Sequence, residues 1–354
     1  MSLISKIKAM SLKAKIFSVL GILLMVVLLT NCKLIGYGIT QGLGQLRMVR
    51  NAVPIDTLLN DPSYPDSLKQ KLLYIKEIRQ FAIDSIHLKD SENYNAVFDL
   101  KGQPTAYVVQ ACEKYAMKKY LWKFPVVGKL PYKGFFDKAD AEKEAKRLQD
   151  DGYDTRIVNP GGWSTMGWFN DPILSSMLRK DEANLAELII HELTHSTIFV
   201  KDNSELNENI ADYVGENGAV LYLKSKYGAE SPLITRYKNS IEDNLTLANY
   251  FLQSAKGLDS LYCTEGFKNL PDSLKDIEKQ HFIASIIDGV DSVGFKAFDP
   301  TKIKKNTLRN VNNTFFTGYM TYYNKKDTLR DQCVNQFGGD FLRHLQYLKE
   351  EYGR

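Results

Sequence analysis

The stretch LAELIIHELTH, residues 185–195, restricts the fold more than any other part of the chain. Leu185, Leu188, Ile189 and Leu193 recur at helical spacing and predict a helix over 181–200 with a buried apolar stripe. Positions four apart on a helix differ by about 40° around the axis, so His191 and His195 fall on one face. The chain holds only five histidines. Two of them sit inside this apolar helix, where a polar side chain needs a partner. Zn2+ is a partner that two imidazoles on one face can share. Glu192 stands beside the pair, placed to act as a base next to the metal rather than to bind it.

A zinc centre that does chemistry needs a third protein ligand and one open position. The next predicted helix, 204–227, carries NENIADYVGE at 207–216, with Glu208, Asp212 and Glu216 at i, i+4 and i+8. A row of acids is usually a solvated face. Here Ile210, Val214, Ala219 and Val220 also demand burial, so the helix is packed and its acids point at something. Glu208 is the expected third ligand, with Glu216 the next choice. Asp212, one turn on, can accept a hydrogen bond from the free nitrogen of a ligand histidine and fix its tautomer. Twelve residues separate His195 from Glu208, which leaves room for one tight turn through VKDNS.

Around this pair the pattern is mixed. Helices are expected at 65–86 and 137–152, the second stopped by Gly152. Leu43, Leu46, Val49 and Val53 recur at helical spacing in 36–61. NAVFDL and TAYVVQAC read as a strand pair and YDTRIV as a further strand. NPGGWSTMGWFNDP is an aromatic loop. From 181 onward nearly everything is helical, in segments 181–200, 204–227, 231–258, 272–288 and 327–350. The expected class is α+β, mostly helical, with a small sheet beside the histidine helix. Residues 33–180 would hold the sheet and 181–354 the zinc site.

The first 32 residues stand apart. Lys6, Lys8, Lys13 and Lys15 precede an uncharged run, IFSVLGILLMVVLLT at 16–30. That length suits a signal peptide better than a full span of about 20 residues. Leu29, Thr30 and Cys32 fit a lipobox in which Cys32 would carry lipid, with Asn31 where a small residue is usual. The other reading is an uncleaved signal anchor. Either way residues 33 onward are expected on the outer face of a membrane. Cys112, Cys263 and Cys333 complete the cysteines, without a CxxC pair, so a thiolate zinc site is not expected. Net charge is +4 and spread along the chain; without a finger, zipper or RNP pattern, nucleic acid is not an expected partner.

HExxH followed by N-E-x-x-A-D resembles the gluzincin arrangement of thermolysin-like peptidases. That resemblance implies a zincin-like fold with His191, His195 and Glu208 on zinc, Glu192 as general base and Asp212 behind His191. A wider resemblance covers nearly the whole chain. GQLRMVRNAVPI, PYKGFFDKADAEKEAKRLQDDGYD, STMGWFNDPILSSML, IIHELTHSTIFVK, NENIADYVGENGA and NNTFFTGYMTYY are similar, in this order, to a bacterial family of predicted zinc aminopeptidases, often lipoproteins. It implies a membrane-tethered zinc peptidase acting on peptides or exported proteins. Exopeptidase gluzincins carry a G-x-M-E-N loop that grips the substrate amine, and this chain has none, so an endopeptidase stays open. So does a zinc-binding lipoprotein without catalysis. For the oxyanion donor, Tyr319 or Tyr322 is expected, with Tyr323 and His281 as further candidates. The strand and loop through YDTRIVNPGGWSTMGWF, including Trp163, Trp168 and Phe169, would line the cleft.

Overall fold

A computed structural model of the protein describes residues 32–124, 128–160, 170–201, 203–308, 311–322 and 326–353. The chain divides after Arg50 into two compact units, Met1–Arg50 and Asn51–Arg354. In the first, helix α1 spans Cys32–Arg50. Its expected apolar stripe is not buried: Leu43 and Leu46 are exposed. The uncharged run 16–30 lies outside the described residues. Among those described, no helix is long and apolar enough to cross a membrane.

The second unit is α+β and mostly helical. It opens with strand β1 (Val53–Pro54) and helices α2 (Ile55–Asn60) and α3 (Asp66–Asp84). Strands β2 (Ala96–Phe98) and β3 (Tyr107–Glu113) follow. They are not partners, contrary to the expected strand pair. A tight turn with Gln103 N–H on the Leu100 carbonyl, and positive φ at Lys101 and Gly102, begins like a hairpin. Pro104 then has no N–H to continue a ladder, and the strands part. The amide of Leu100 goes instead to Ser175 Oγ (2.9 Å).

Three small sheets result among the described residues. One orders β1, β2 and β8 (Ile173–Leu174), with β2 and β8 parallel. A second pairs β4 (Trp122–Phe124) with β5 (Gly128–Leu130). The third is antiparallel, with β3 between β6 (Tyr132–Phe135) and β7 (Tyr153–Val158). Helix α4 (Lys138–Asp150) packs on this third sheet. It starts with Asp137 capping Asp140 N–H and ends before Gly152, whose φ of 86° only glycine adopts freely.

The helical half follows. Helix α5 (Glu182–Thr197) is capped by Asp181, and α6 (Ser204–Tyr227) by Asn203. Leu185, Ile189 and Leu193 are buried as the spacing requires; Leu188 is only half-buried, and Ala186 and Ile190 widen the stripe. After α6 come α7 (Pro232–Cys263), α8 (Glu265–Lys268), α9 (Asp272–Gly289), α10 (Pro300–Thr307) and α11 (Asn313–Tyr322). The expected helix 327–350 is two, α12 (Lys326–Phe337) and α13 (Phe341–Tyr352). Gly338 and Gly339 both take positive φ and reverse the chain between them.

A buried polar clasp joins this half to the third sheet. Lys279 of α9, 2% exposed, donates to the Lys114 carbonyl (2.9 Å) and to Asp154 of β7. Asp154 also accepts the Asn313 N–H (3.0 Å), and Asn313 Oδ1 accepts from Tyr262 (2.8 Å). Each of these side chains has a hydrogen-bond partner, which is the condition for keeping charge inside a core. Above the clasp lies an aromatic core around Phe251, Phe315 and Phe316. Cys112 and Cys333 are buried free thiols and Cys263 is an exposed one.

Candidate metal centre

The site begins with a close helix crossing. Helix α6 packs along α5, and glycines stand at the contact. A Cβ at Gly215 would sit 2.9 Å from the Glu187 carbonyl and 3.1 Å from His191 Cβ. A Cβ at Gly218 would sit 2.8 Å from Ile190 Cγ2. The missing side chains let α6 come near enough to lay its acids on the histidines. Gly215→Ala therefore sets two effects against each other. Alanine favours a helix by about 1 kcal/mol. Forcing a methyl against backbone costs about 1–3 kcal/mol and cannot be relieved by a rotamer change. The expected outcome is a lower unfolding midpoint together with weaker zinc binding, read by denaturation and metal titration.

The turn between the helices is equally fixed. Asn207 grips Val200 twice, accepting its N–H (2.7 Å) and donating to its carbonyl (2.8 Å). Phe199 N–H donates to the Tyr352 carbonyl (3.0 Å), so the end of α13 closes over the same turn. Glu208 follows Asn207 directly, and its position is set by this clamp.

The result is a three-ligand cradle. One ligand atom each from His191, His195 and Glu208 lies within 4.8 Å of the others. His191 Nε2 is 3.7 Å from Glu208 Oε2, and His195 Nε2 is 3.6 Å from Glu208 Oε1. Tetrahedral zinc bonds of about 2.0–2.2 Å put neighbouring ligand atoms about 3.3–3.6 Å apart. The donor set and its spacing thus suit a zinc ion. Behind it, His191 Nδ1 faces Asp212 Oδ1 at 3.0 Å, which leaves Nε2 for the metal. Glu192 is 7% exposed on the same helix.

Charge in the cradle is poised for a cation. Burial alone lowers the pKa of His191. The Asp212 hydrogen bond and the charges of Glu192, Asp212 and Glu208 outweigh it and push His191 up to about 9. Burial raises Glu208, His191 opposes this, and Glu192 and Asp212 add to the rise. A metal must displace the His191 proton. Protons and zinc compete below pH about 9, so affinity should grow as pH rises towards that value. The expected result is about a tenfold weaker apparent zinc affinity per pH unit below it, with one proton released per ion. Calorimetric zinc titration in two buffers of different ionisation heat reads both.

Glu216 is buried and pairs with Arg330 at 2.8 Å, away from ligand duty. The ring of Tyr319 packs on Phe251 (4.9 Å) and Phe315 (5.3 Å) in the aromatic core. Tyr322 ends α11, and Tyr323 lies outside the described residues. His281 is exposed on α9. Gly161–Phe169, with Trp163 and Trp168, also lie outside them. YDTRIV is β7, a strand as expected, at an edge of the third sheet, and Asn312 Nδ2 donates to its Thr155 carbonyl (2.9 Å). The charges of the centre also reach two tyrosines that carry no motif. Burial and then the Glu208 charge raise the Tyr132 phenol of β6, the opposite edge. Burial and then the Glu192 charge raise the phenol of Tyr94, before β2.

No curated protein and no solved structure matches the chain. The family described as "Putative aminopeptidase" matches residues 36–351, which takes in both helices of the cradle, the third sheet and the clasp. The chain belongs to that family.

Proposed function

We propose that the protein is a zinc-dependent peptidase of zincin-like, gluzincin type, tethered to a membrane and acting outside the cytoplasm as an aminopeptidase. The observation that carries the reading is the cradle of His191, His195 and Glu208 with a carboxylate, Glu192, beside it. Family membership supports peptidase chemistry. Zinc, when bound, supplies a Lewis acid that makes water nucleophilic near neutral pH and polarises a carbonyl. His191, His195 and Glu208 would hold it. Asp212 fixes the His191 ring. Glu192 takes a proton from the attacking water and returns it to the leaving amine. Tyr132, at the edge strand facing Glu208, joins Tyr319 and Tyr322 as a candidate donor to the oxyanion.

The test uses full-length, zinc-loaded protein and a pool of unstructured peptides, with products read by mass spectrometry. Stepwise loss of N-terminal residues supports an aminopeptidase. Internal cuts establish the endopeptidase alternative. No zinc-dependent cutting favours the non-catalytic zinc-binding lipoprotein. The tether rests on the lysine-rich start, the uncharged run and Cys32. Cys32→Ser is expected to abolish lipid attachment, read as the loss of acyl mass from the protein. An unchanged mass and unchanged membrane attachment would establish the signal anchor.

A further inference from the structure

The general base of the proposed reaction is backed by a residue that no motif marks. Tyr94 has a φ of 62°, a left-handed backbone that a bulky residue adopts at a cost of about 1–3 kcal/mol. Its side chain is 1% exposed. The segment is pinned on both sides. Tyr94 N–H donates to the Asp171 carbonyl (2.8 Å), and Asn93 Oδ1 accepts the Asp171 N–H (2.9 Å). Asn93 Nδ2 reaches Ser196 Oγ at 3.4 Å. Ser196 lies one turn beyond Glu192 on the same face of α5, so the segment that meets Ser196 at Asn93 brings Tyr94 to the part of the helix that carries Glu192.

The buried phenol has no hydrogen-bond partner at ordinary geometry among the described residues, and the Glu192 carboxylate is near enough to act on its proton. A hydroxyl this deeply buried calls for a partner. Hydrogen bonds in resting sites are often long and tighten only with substrate in place. Burial first, and then the charges of Glu192 and Asp171, hold the phenol well above its usual range, so it remains a donor. Its burial keeps it from touching substrate.

We propose that Tyr94 is a positioning residue for Glu192: its buried phenol donates to one carboxylate oxygen and leaves the other to take the proton. This rests on the peptidase reading. Tyr94→Phe removes one oxygen atom and keeps the ring. In zinc-loaded full-length protein, kcat should fall about 10- to 100-fold, the range for one hydrogen bond to a charged group. KM should stay within about twofold and zinc content should not change, because the ground state and the cradle are untouched. In a Glu192→Gln background the same change should lower kcat no further. Unfolding midpoints of the four proteins in this cycle should be non-additive as well.

An unchanged kcat in Tyr94→Phe overturns the proposal. So does a raised KM at constant kcat, which would make Tyr94 a substrate contact. If the wild type cuts no peptide, the peptidase reading fails on its own. The unfolding cycle then still decides, because additive midpoints would mean that the phenol does not hold Glu192.

Discussion

Glu192→Gln should lower kcat by about 10²–10⁴-fold, the range for loss of a positioned acid–base group. The amide has nearly the same shape but cannot accept and return a proton. Glu192 stands outside the three-atom cradle, so zinc content should stay at one per chain. That combination, metal kept and turnover lost, separates a base from a ligand. Activity within threefold of wild type would remove Glu192 from the mechanism. Loss of zinc together with activity would instead make it part of the metal's hold.

The second large effect is expected at Glu208. Its two oxygens face one histidine each at 3.6–3.7 Å, so it closes the cradle from the α6 side. Glu208→Ala leaves two ligands, too few for a stable catalytic site. Zinc should be lost on dialysis and hydrolysis should fall to background, measured by metal analysis and peptide turnover. Glu216→Ala serves as the contrast. Glu216 lies on the same helix but is bound to Arg330. Its removal strands a partly buried guanidinium and should cost about 3 kcal/mol of stability while zinc is retained. If Glu208→Ala keeps its zinc and Glu216→Ala loses it, the third ligand has been misassigned.

Much of the cradle was legible because its parts are local. His191, Glu192 and His195 share one helix, and the helix 204–227 was bounded correctly by its Asn203 cap and by Gly228 beyond it. Side-chain period and caps are encoded within a few residues. What the sequence did not disclose depends on distant segments. Glu216 has the right spacing for a ligand row, yet Arg330, more than a hundred residues away, claims it. Tyr319 stays a candidate oxyanion donor, but the packing of its ring on Phe251, in a different helix, is not written in its own segment. Tyr94, in a turn before β2, and Tyr132, on β6, come within reach of the centre's charges through long-range placement, which no helical period announces. The strand pair expected of β2 and β3 does not form, and Pro104, which lies between them, is the local signal against it. Gly215 and Gly218 also stood in plain view, but only the crossing itself shows why neither can carry a side chain.

That crossing has a consequence for how such a protein can diversify. The cradle is welded: glycine contact on one side, the Asn207 clamp at the turn, Asp212 behind the ring. Almost any change there alters the distance between ligands. The segments whose residues feel the centre from outside the helix pair are a turn before β2, at Tyr94, and an edge strand of the third sheet, at Tyr132. Turns and sheet edges accept substitution and insertion more readily than helix contacts do. On the proposed reading, chemistry and choice of substrate are thus carried by different stretches of chain. Lineages can inherit the first unchanged while the second drifts, and a new preference can arise without the reaction being reinvented.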